Sequence, residues 1–266
     1  MRMSEQEFYT SFRCWQLPMD ERRIMPTISW NKNNNKWFAG NLLKAIRKFN
    51  MITPGETVAV GMSGGIDSTV LLYALDYINR YSPLHFQLLA LHVETFSTEA
   101  SAPISAFAQS LGIPVKILSV NRQGDLPEKG ICYTCSRLKK GALITFAEQN
   151  QIKTIAYGHH ADDFAETFFM NLFEHKKIEG LNPVSFVAKG NIAFIRPMIY
   201  LEKKTIERMF THFTLPDLAV PCKYEEKNIR SHYRDLLQQF GKTARLQKPA
   251  KRIVEACYPK KTHHEI

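Results

Sequence analysis

The residues best suited to chemistry form a short glycine-containing turn, Gly61-Met62-Ser63-Gly64-Gly65-Ile66-Asp67-Ser68. An apolar β-branched run precedes this turn and an amphipathic helical pattern follows it. A tight turn between a strand and a helix offers backbone N–H groups and a helix N-terminus to an anion. Gly64 and Gly65 permit positive φ and close approach to phosphate oxygens, and two serine hydroxyls add donors. The turn therefore predicts a phosphate site, with a plain Gly-Gly turn as the alternative.

The lysine that follows the last glycine of a Walker loop is absent from this turn. A nucleoside triphosphate that is cleaved between its α- and β-phosphates is the better match. The position of the turn, after the first predicted strand, is where open α/β sheets bind ligands.

Two cysteines lie three positions apart, at Cys132 and Cys135, and three others stand at Cys14, Cys222 and Cys257. An odd number of cysteines in a cytosolic chain argues against a disulfide framework and leaves metal binding or redox chemistry. A C-x-x-C pair alone fits structural zinc, a redox dithiol or an iron–sulfur ligand set equally well.

A second polar segment follows a later predicted strand and reads Gly158-His159-His160-Ala161-Asp162-Asp163, with Glu166 one helical turn further on. Its three carboxylates fall on neighbouring faces of a predicted helix. They have the chemistry to hold Mg²⁺ beside phosphates or to act on a base during its activation. The alternative is N-capping of that helix by acidic residues. His159 is either a nucleotide contact or structural, and Lys139 either stabilises developing negative charge or is solvated.

The elements that must position these residues alternate between strands and helices. Strands are predicted at residues 57–60, 86–93, 115–120, 154–157 and 192–195, and helices at 36–50, 70–78, 104–111, 138–149, 161–173 and 203–213. This alternation predicts an α/β fold, an open parallel sheet with helices on both faces. Residues 1–35 are expected to form an N-terminal extension, 36–240 the main domain and 241–266 a basic C-terminal tail.

The composition is that of a soluble globular protein, with 44% apolar and 23% charged residues among 266. Because no apolar run is long enough to span a bilayer and the N-terminus lacks the apolar core of a signal peptide, a cytoplasmic location without membrane contact is expected. The net charge of +10 favours a polyanionic partner such as nucleic acid. A solvated basic surface is the alternative.

The glycine turn resembles the PP-loop signature of the N-type ATP pyrophosphatases, which adenylate a carbonyl-type oxygen and release pyrophosphate. The resemblance implies a Rossmann-like, adenine nucleotide alpha-hydrolase-like fold and a Mg²⁺-ATP site. The ATP contacts implied are Ser63, Gly64, Gly65, Asp67, Ser68, His92, Gly158 and His159.

The segment Cys132-Tyr133-Thr134-Cys135-Ser136-Arg137-Leu138-Lys139-Lys140-Gly141 is similar to the C-x-x-C-S-R-L-x-x-G segment of the tRNA-cytidine 2-sulfurtransferases. Further matches in the same order are the Gly158–Asp163 segment, Ile195-Arg196-Pro197 and Pro221-Cys222, so that the likeness runs from about Lys36 to Asp235. In that family three cysteines hold a [4Fe–4S] cluster with one iron open to carry sulfur.

The resemblance implies the cluster ligands by position, and the chemistry of the side chains suggests the other roles. The cluster ligands implied are Cys132, Cys135 and Cys222. Asp162, Asp163 and Lys139 are the catalytic candidates, and Asp163 and Glu166 the magnesium candidates. The RNA contacts expected are Arg137, Lys140, Arg230 and Arg234.

The chain departs from the family in three places. Ile66 stands where the family carries a lysine and resembles the apolar residue of tRNA-lysidine synthetases. The strand end reads His92-Val93-Glu94-Thr95 instead of Leu-Asp-Gln, and Lys223 follows Cys222 where a second cysteine is usual nearby.

The expected function is ATP-dependent thiolation of the C2 oxygen of an anticodon-loop cytidine, position 32 of the tRNA. A sulfur donor such as a cysteine desulfurase is the expected partner beside tRNA, and a homodimer is left open. Two alternatives remain: a cluster-free PP-loop ligase in the manner of lysidine synthetase, and a non-catalytic RNA-binding protein.

Overall fold

The computed structural model describes residues 37–95, 97–120, 131–187, 191–221 and 229–259. Six strands form one sheet: β1 (Thr57–Met62), β2 (Gln87–Glu94), β3 (Val115–Ser119), β4 (Thr154–Ala156), β5 (Val184–Val187) and β6 (Ile192–Ile195). Their order is β3-β2-β1-β4-β6-β5. Neighbouring strands run parallel, except that β5 is antiparallel to β6 at the edge.

Eight helices accompany the sheet within the described residues. They are α1 (Ala39–Lys48), α2 (Ile66–Tyr81), α3 (Ser101–Ser110), α4 (Ile131–Gln149), α5 (Ala161–His175), α6 (Lys203–His212), α7 (Ile229–Thr243) and α8 (Pro249–Cys257). Helix α4 begins earlier than the apolar period predicted, so that the C-x-x-C pair lies inside its first turns. Across the described residues, no helix is long and apolar enough to cross a membrane.

The side chains of the central strands alternate between two cores, one on each face of the sheet. On β1, Val58 and Val60 belong to the larger core with helices α1, α2 and α5, whereas Ala59 belongs to a smaller core with α4. On β2, Leu88 and Leu89 divide in the same way. A period of two residues produces this division in a strand that is covered on both faces. The predicted open sheet with helices on both faces is confirmed.

Strand order reverses at the centre of the sheet. The chain moves outward from β1 to β2 and β3, and then returns to place β4 on the other side of β1. The carboxyl ends of β1 and β4 therefore flank a topological switch point, where open α/β sheets bind ligands. The glycine turn follows β1 and the Gly158-His159 segment follows β4.

The C-terminal stretch packs on the rest of the fold. Helix α7 crosses residue 240, where the basic tail was expected to begin, and α8 buries Ala250 and Val254 in the larger core. Lys44 on α1 pairs with Glu255 on α8 at 2.8 Å. Residues 249–257 are therefore a packed helix of the same core. The expected extension 1–35 lies outside the described residues.

Candidate active site

A cavity of about 750 Å³ opens at the carboxyl ends of β1 and β4. The glycine turn, the Tyr157–His159 segment after β4, and the first three turns of α4 all contribute to its wall. The lining includes Ser63, Asp67, Ser68, Cys132, Cys135, Lys139, Lys140, Gly158, His159 and Asp163, all of them predicted site residues or their direct neighbours. One cavity therefore brings together the loop with Asp67, the two thiols of α4, and Asp163 from the acidic segment after β4.

The glycine turn has the conformation of an anion cradle. Gly64 has φ +88° and Gly65, the N-cap of α2, has φ −72°, so only the first of the two glycines uses the left-handed region that was expected of both. The first intrahelical donor is the Ser68 N–H, at 3.1 Å from the Gly65 carbonyl oxygen. The N–H groups of Ile66 and Asp67 precede it, so they have no intrahelical acceptor and are available to an anion.

Serine hydroxyls brace this turn. The Ser68 hydroxyl donates to the Gly65 carbonyl oxygen at 2.9 Å and accepts from the Ser63 N–H at 3.2 Å. The Gly65 N–H donates to the Ser63 hydroxyl at 3.3 Å. Through these bonds the buried Ser68 hydroxyl holds the shape of the loop, and Ser68 also lines the cavity.

Gly158 lets the segment after β4 approach the loop. A Cβ atom at Gly158 would lie 2.9 Å from the carbonyl carbon and oxygen of Asp67. No real Cβ contact is that short against backbone, so a side chain here would push the two segments apart. The contribution of Gly158 to the site is thus its lack of a side chain.

A buried histidine connects three carboxylates beside the loop. His160 is 5% exposed, and its ring nitrogens lie 3.4 Å from Asp162, 3.4 Å from Asp163 and 3.8 Å from Asp67. Burial opposes its positive charge, but the three carboxylates outweigh burial and raise the pKa of His160. Burial also acts against ionised Asp162, yet the nearby His160 ring and the hydrogen bond from the Lys203 N–H lower the pKa of that carboxyl.

These carboxylates differ in what they face. Asp67 and Asp163 line the cavity. The Asp163 carboxylate also accepts a hydrogen bond from the backbone N–H of His160 at 2.9 Å, and so caps the N-terminus of α5. Asp162 does not line it and instead accepts the Lys203 N–H at 2.7 Å. The position of Asp162 therefore suits a positioning role, in place of the direct catalytic role expected for it.

Glu166 and Arg234 form a pair with each other. Arg234 Nε and Nη2 donate to the two Glu166 oxygens at 2.6 and 3.1 Å, and the Glu166 side chain is only 2% exposed. Glu166 was expected to bind magnesium and Arg234 to bind RNA, but neither lines the cavity and each is engaged by the other. The pair joins α5 to α7. The Tyr233 hydroxyl joins the same two helices a second time, because it donates to Glu174 at 2.6 Å.

Replacing Arg234 with alanine is expected to lower the free energy of unfolding by about 1–2 kcal/mol at neutral pH, because the buried Glu166 carboxylate loses its partner. The loss is kept to this size because the arginine side chain is half exposed and solvent screens the pair. Burial already raises the pKa of Glu166 against the opposing effect of Arg234. A carboxyl whose pKa is raised in the folded protein lowers stability at pH values above that folded pKa. It has no such effect at pH values below its pKa in the unfolded chain. The loss should therefore shrink as the pH falls through the raised pKa of Glu166, which thermal melts of Arg234→Ala and of the exposed control Arg137→Ala across a pH series would measure.

The two cysteines of α4 lie on the cavity wall. Cys132 and Cys135 are reduced thiols one helical turn apart, and Cys135 Sγ lies 3.6 Å from the Thr95 hydroxyl at the end of β2. Lys139 and Lys140 follow on the same wall, and the Lys140 ammonium lies 5.0 Å from the centre of the Phe194 ring. Thiolates are the ligands that iron–sulfur clusters require, so both side chains fit such a group.

Some predicted site residues lie elsewhere. His92 is buried and away from the cavity wall, with Nδ1 at 2.8 Å from the Met62 carbonyl oxygen. Arg137 is exposed, 5.8 Å from the centre of the Tyr133 ring. Cys222 lies outside the described residues, as does the side chain of Arg230. Among the described residues, no group of three or more His, Cys, Asp or Glu side chains has an arrangement that could hold a metal ion.

Three residues near the loop were absent from the predicted site. Tyr157 and Arg196 line the cavity, and the Tyr157 ring stacks on Phe194 with centroids 5.0 Å apart. Lys203 Nζ donates to Asp67 Oδ1 at 2.7 Å. The Ile195-Arg196-Pro197 match pointed to Arg196, but nothing local in the sequence indicates that Lys203 meets a loop 136 positions away.

Comparison with known proteins agrees with this geometry. The family model described as a PP-loop domain matches residues 36–216. Curated proteins named tRNA-cytidine(32) 2-sulfurtransferase are similar. The one from Xanthomonas euvesicatoria pv. vesicatoria is 33% identical over 75% of this chain and 68% of its own length. The one from Pseudomonas fluorescens is 30% identical over 81% and 82%.

Solved structures show the same fold. The U34-tRNA thiolase NcsA from Methanococcus maripaludis, solved with its [4Fe-4S] cluster, has a TM-score of 0.70 at 22% identity, covering 84% of this chain and 79% of that one. NMN synthetase from Francisella tularensis has a TM-score of 0.51 at 16% identity, with coverage of 84% and 92%. By its family match and its curated relatives, the chain belongs to the PP-loop domain family, among the tRNA-cytidine 2-sulfurtransferases.

Proposed function

We propose that the chain is an ATP-dependent tRNA sulfurtransferase that replaces the C2 oxygen of cytidine 32 with sulfur. The observation that carries this proposal is the shared cavity, in which the phosphate loop and the two α4 thiols line one space. The relatives that bear the name tRNA-cytidine(32) 2-sulfurtransferase support the choice of base. An adenylating site and a sulfur-carrying site must share one space, since the first acts on the C2 oxygen and the second on the carbon that bears it.

ATP occupies the loop side of the cavity in this proposal. The phosphates lie against Ser63–Ser68, where the helix N-terminus and the loop N–H groups meet negative charge. The C2 oxygen of the base attacks the α-phosphate, and the bond to the β-phosphate breaks to release pyrophosphate. Asp67 and Asp163 are the two cavity carboxylates available to Mg²⁺, which prefers such oxygen ligands beside phosphates.

The second half of the reaction takes place at C2 of the adenylated base. Sulfur bonds to this carbon, and the C2–O bond breaks with AMP as the leaving group. Lys139 lines the same cavity as the thiols and the loop, and in this proposal its ammonium offsets the negative charge that develops. His160 and Asp162 hold the turn after β4 in place, through their own pairing and the hydrogen bond from the Lys203 N–H to Asp162.

Cys132 and Cys135 are the described residues that would hold a [4Fe–4S] cluster, together with Cys222. The cluster supplies an iron without a protein ligand, which suits a site for transferable sulfur. The sulfur itself comes from a donor such as a cysteine desulfurase. The remaining described cysteine, Cys257, lies on α8 and does not line the cavity.

The RNA approaches across α4. Arg137 and Lys140 are both exposed, and Lys140 also lines the cavity mouth. Tyr133, which is 68% exposed, adds an aromatic face beside them. Exposed cations and an aromatic ring at the entrance of a cavity suit an unpaired loop with splayed bases. The net charge of +10 adds long-range attraction for the phosphate backbone.

Mass spectrometry of tRNA from a strain that lacks this chain tests the proposal. We expect 2-thiocytidine to be absent and to return when the chain is supplied. The protein purified without oxygen should contain iron and sulfide and should release pyrophosphate only with tRNA. An iron-free protein with no effect on 2-thiocytidine would instead favour the cluster-free ligase, and unchanged tRNA without pyrophosphate release a non-catalytic RNA-binding protein.

A further inference from the structure

The phosphate loop has no cation of its own. Between Gly61 and Ser68 the charged residue is Asp67, and its carboxylate lines the cavity. ATP adds several negative charges to the same space, so the loop alone would repel its ligand through this carboxylate. A protein cation next to Asp67 would offset this repulsion together with Mg²⁺.

Lys203 provides that group from a distant part of the chain. It begins α6, where its backbone N–H donates to Asp162 Oδ2 and its Nζ donates to Asp67 Oδ1, both at 2.7 Å. The residue is therefore held at its backbone N–H and at its ammonium, and 36% of its side chain is exposed. Lys203 does not itself line the cavity, but its partner Asp67 does. A lysine ammonium has three donors, and the contact to Asp67 uses one of them.

We propose that Lys203 binds the β- and γ-phosphate oxygens of ATP and supplies the cation that the loop lacks. This inference rests on the proposed ATP-dependent function. In the absence of ATP, the ion pair with Asp67 holds the ammonium beside the loop N–H groups. With ATP present, the remaining donors of Lys203 reach the terminal phosphates while Asp67 stays neutralised.

Two other positive groups near the loop suit this role less well. His160 Nε2 is 3.8 Å from Asp67, but the ring is buried between that carboxylate and those of Asp162 and Asp163. Arg196 lines the cavity, but its guanidinium is directed to the Asn182 carbonyl oxygen and to the Ser185 hydroxyl. Lys203 is the cation in direct contact with a loop residue among those described.

The test compares ATP with AMP, because AMP has no β- or γ-phosphate. We expect Lys203→Met to raise the Kd for ATP at least about 10-fold and to leave the Kd for AMP within about 2-fold. The matched control is Lys204→Met, which removes the same charge from an exposed neighbour and should bind both nucleotides normally. Isothermal titration of the unsubstituted chain and of both variants with ATP and with AMP, in Mg²⁺ and without tRNA, measures the six constants.

A rescue variant separates phosphate binding from a structural role. Ile66 is the half-buried first residue of α2, inside the loop, and packs against the larger core. The rescue therefore relies on the flexible stem of a lysine that leaves this core and brings its ammonium to the phosphates. In the Lys203→Met background, Ile66→Lys should recover ATP affinity to within about 3-fold of the unsubstituted chain. ATP affinity is not expected to recover if Lys203 only holds α6 against the loop through its contact with Asp67.

The outcomes separate this inference from the proposed function. If the unsubstituted chain binds no ATP, the proposed function fails. If it binds ATP and Lys203→Met binds ATP equally well, only the role of Lys203 is overturned. Equal loss of ATP and AMP affinity, with a lower melting temperature and no rescue, would also overturn it and assign Lys203 to the structure of the loop.

Discussion

Replacing Cys135 with alanine is expected to reduce 2-thiocytidine formation more than about 100-fold while ATP still binds. Substitution of an outer partner of a metal ligand already costs 10- to 100-fold in affinity or activity, so loss of a ligand should cost more. Cys135 Sγ belongs to the cavity wall on α4, whereas the phosphate loop lies between β1 and α2. The substitution removes one sulfur atom and leaves the loop intact.

Three measurements on Cys135→Ala separate its effects: iron and sulfide per chain, the Kd for ATP, and 2-thiocytidine in tRNA. We expect iron and sulfide to fall with thiolation, and the Kd for ATP to stay within about 2-fold. Cys257→Ala is the matched control, because this cysteine lies on α8 away from the cavity, where burial raises the pKa of its thiol. A Cys135→Ala protein with full iron, sulfide and 2-thiocytidine would contradict the proposed mechanism.

The sheet and the position of the cavity follow from local sequence patterns. Apolar runs such as residues 57–60 and 154–157 form strands of the sheet. The loop follows the first of them and the Gly158–Asp163 segment follows the second. Since parallel strands end at the same edge, two such segments meet when their strands pair, as β1 and β4 do. This much of the site needs only strand order and strand ends.

The polar pairs around the cavity are not contained in those patterns. Glu166 and Arg234 are 68 positions apart, and Asp67 and Lys203 are 136 apart, so no helical or strand period connects them. Glu166 stands at helical spacing from two aspartates, which suggests a shared metal site. In the structure, however, Arg234 from α7 binds both oxygens of the Glu166 carboxylate. Strand β5 was missed because it is short and partly exposed, with Phe186 at 72% exposure.

Replacing Gly64 with alanine is expected to weaken ATP binding more than about 100-fold, because two separate effects distort the loop. Gly64 has φ +88°, which costs an L-residue with a side chain about 1–2 kcal/mol. A Cβ atom there would also lie 2.7 Å from the Leu218 carbonyl oxygen, and backbone cannot yield as a flexible side chain can. The loop must therefore shift, which moves the N–H groups of Ile66 and Asp67 away from the phosphates.

Gly55→Ala is a matched control for the conformational part of this effect. Gly55 has φ +84°, nearly that of Gly64, but its Cβ atom would meet nothing within 4 Å and the residue is distant from the cavity wall. Both variants should lose a similar amount of stability from the strained backbone, whereas only Gly64→Ala should lose ATP. Thermal melts and ATP titrations of the two proteins separate strain from displacement. Equal ATP affinity in both would mean that the contact with Leu218 relaxes without moving the loop, and that the cradle does not depend on the close approach at Gly64.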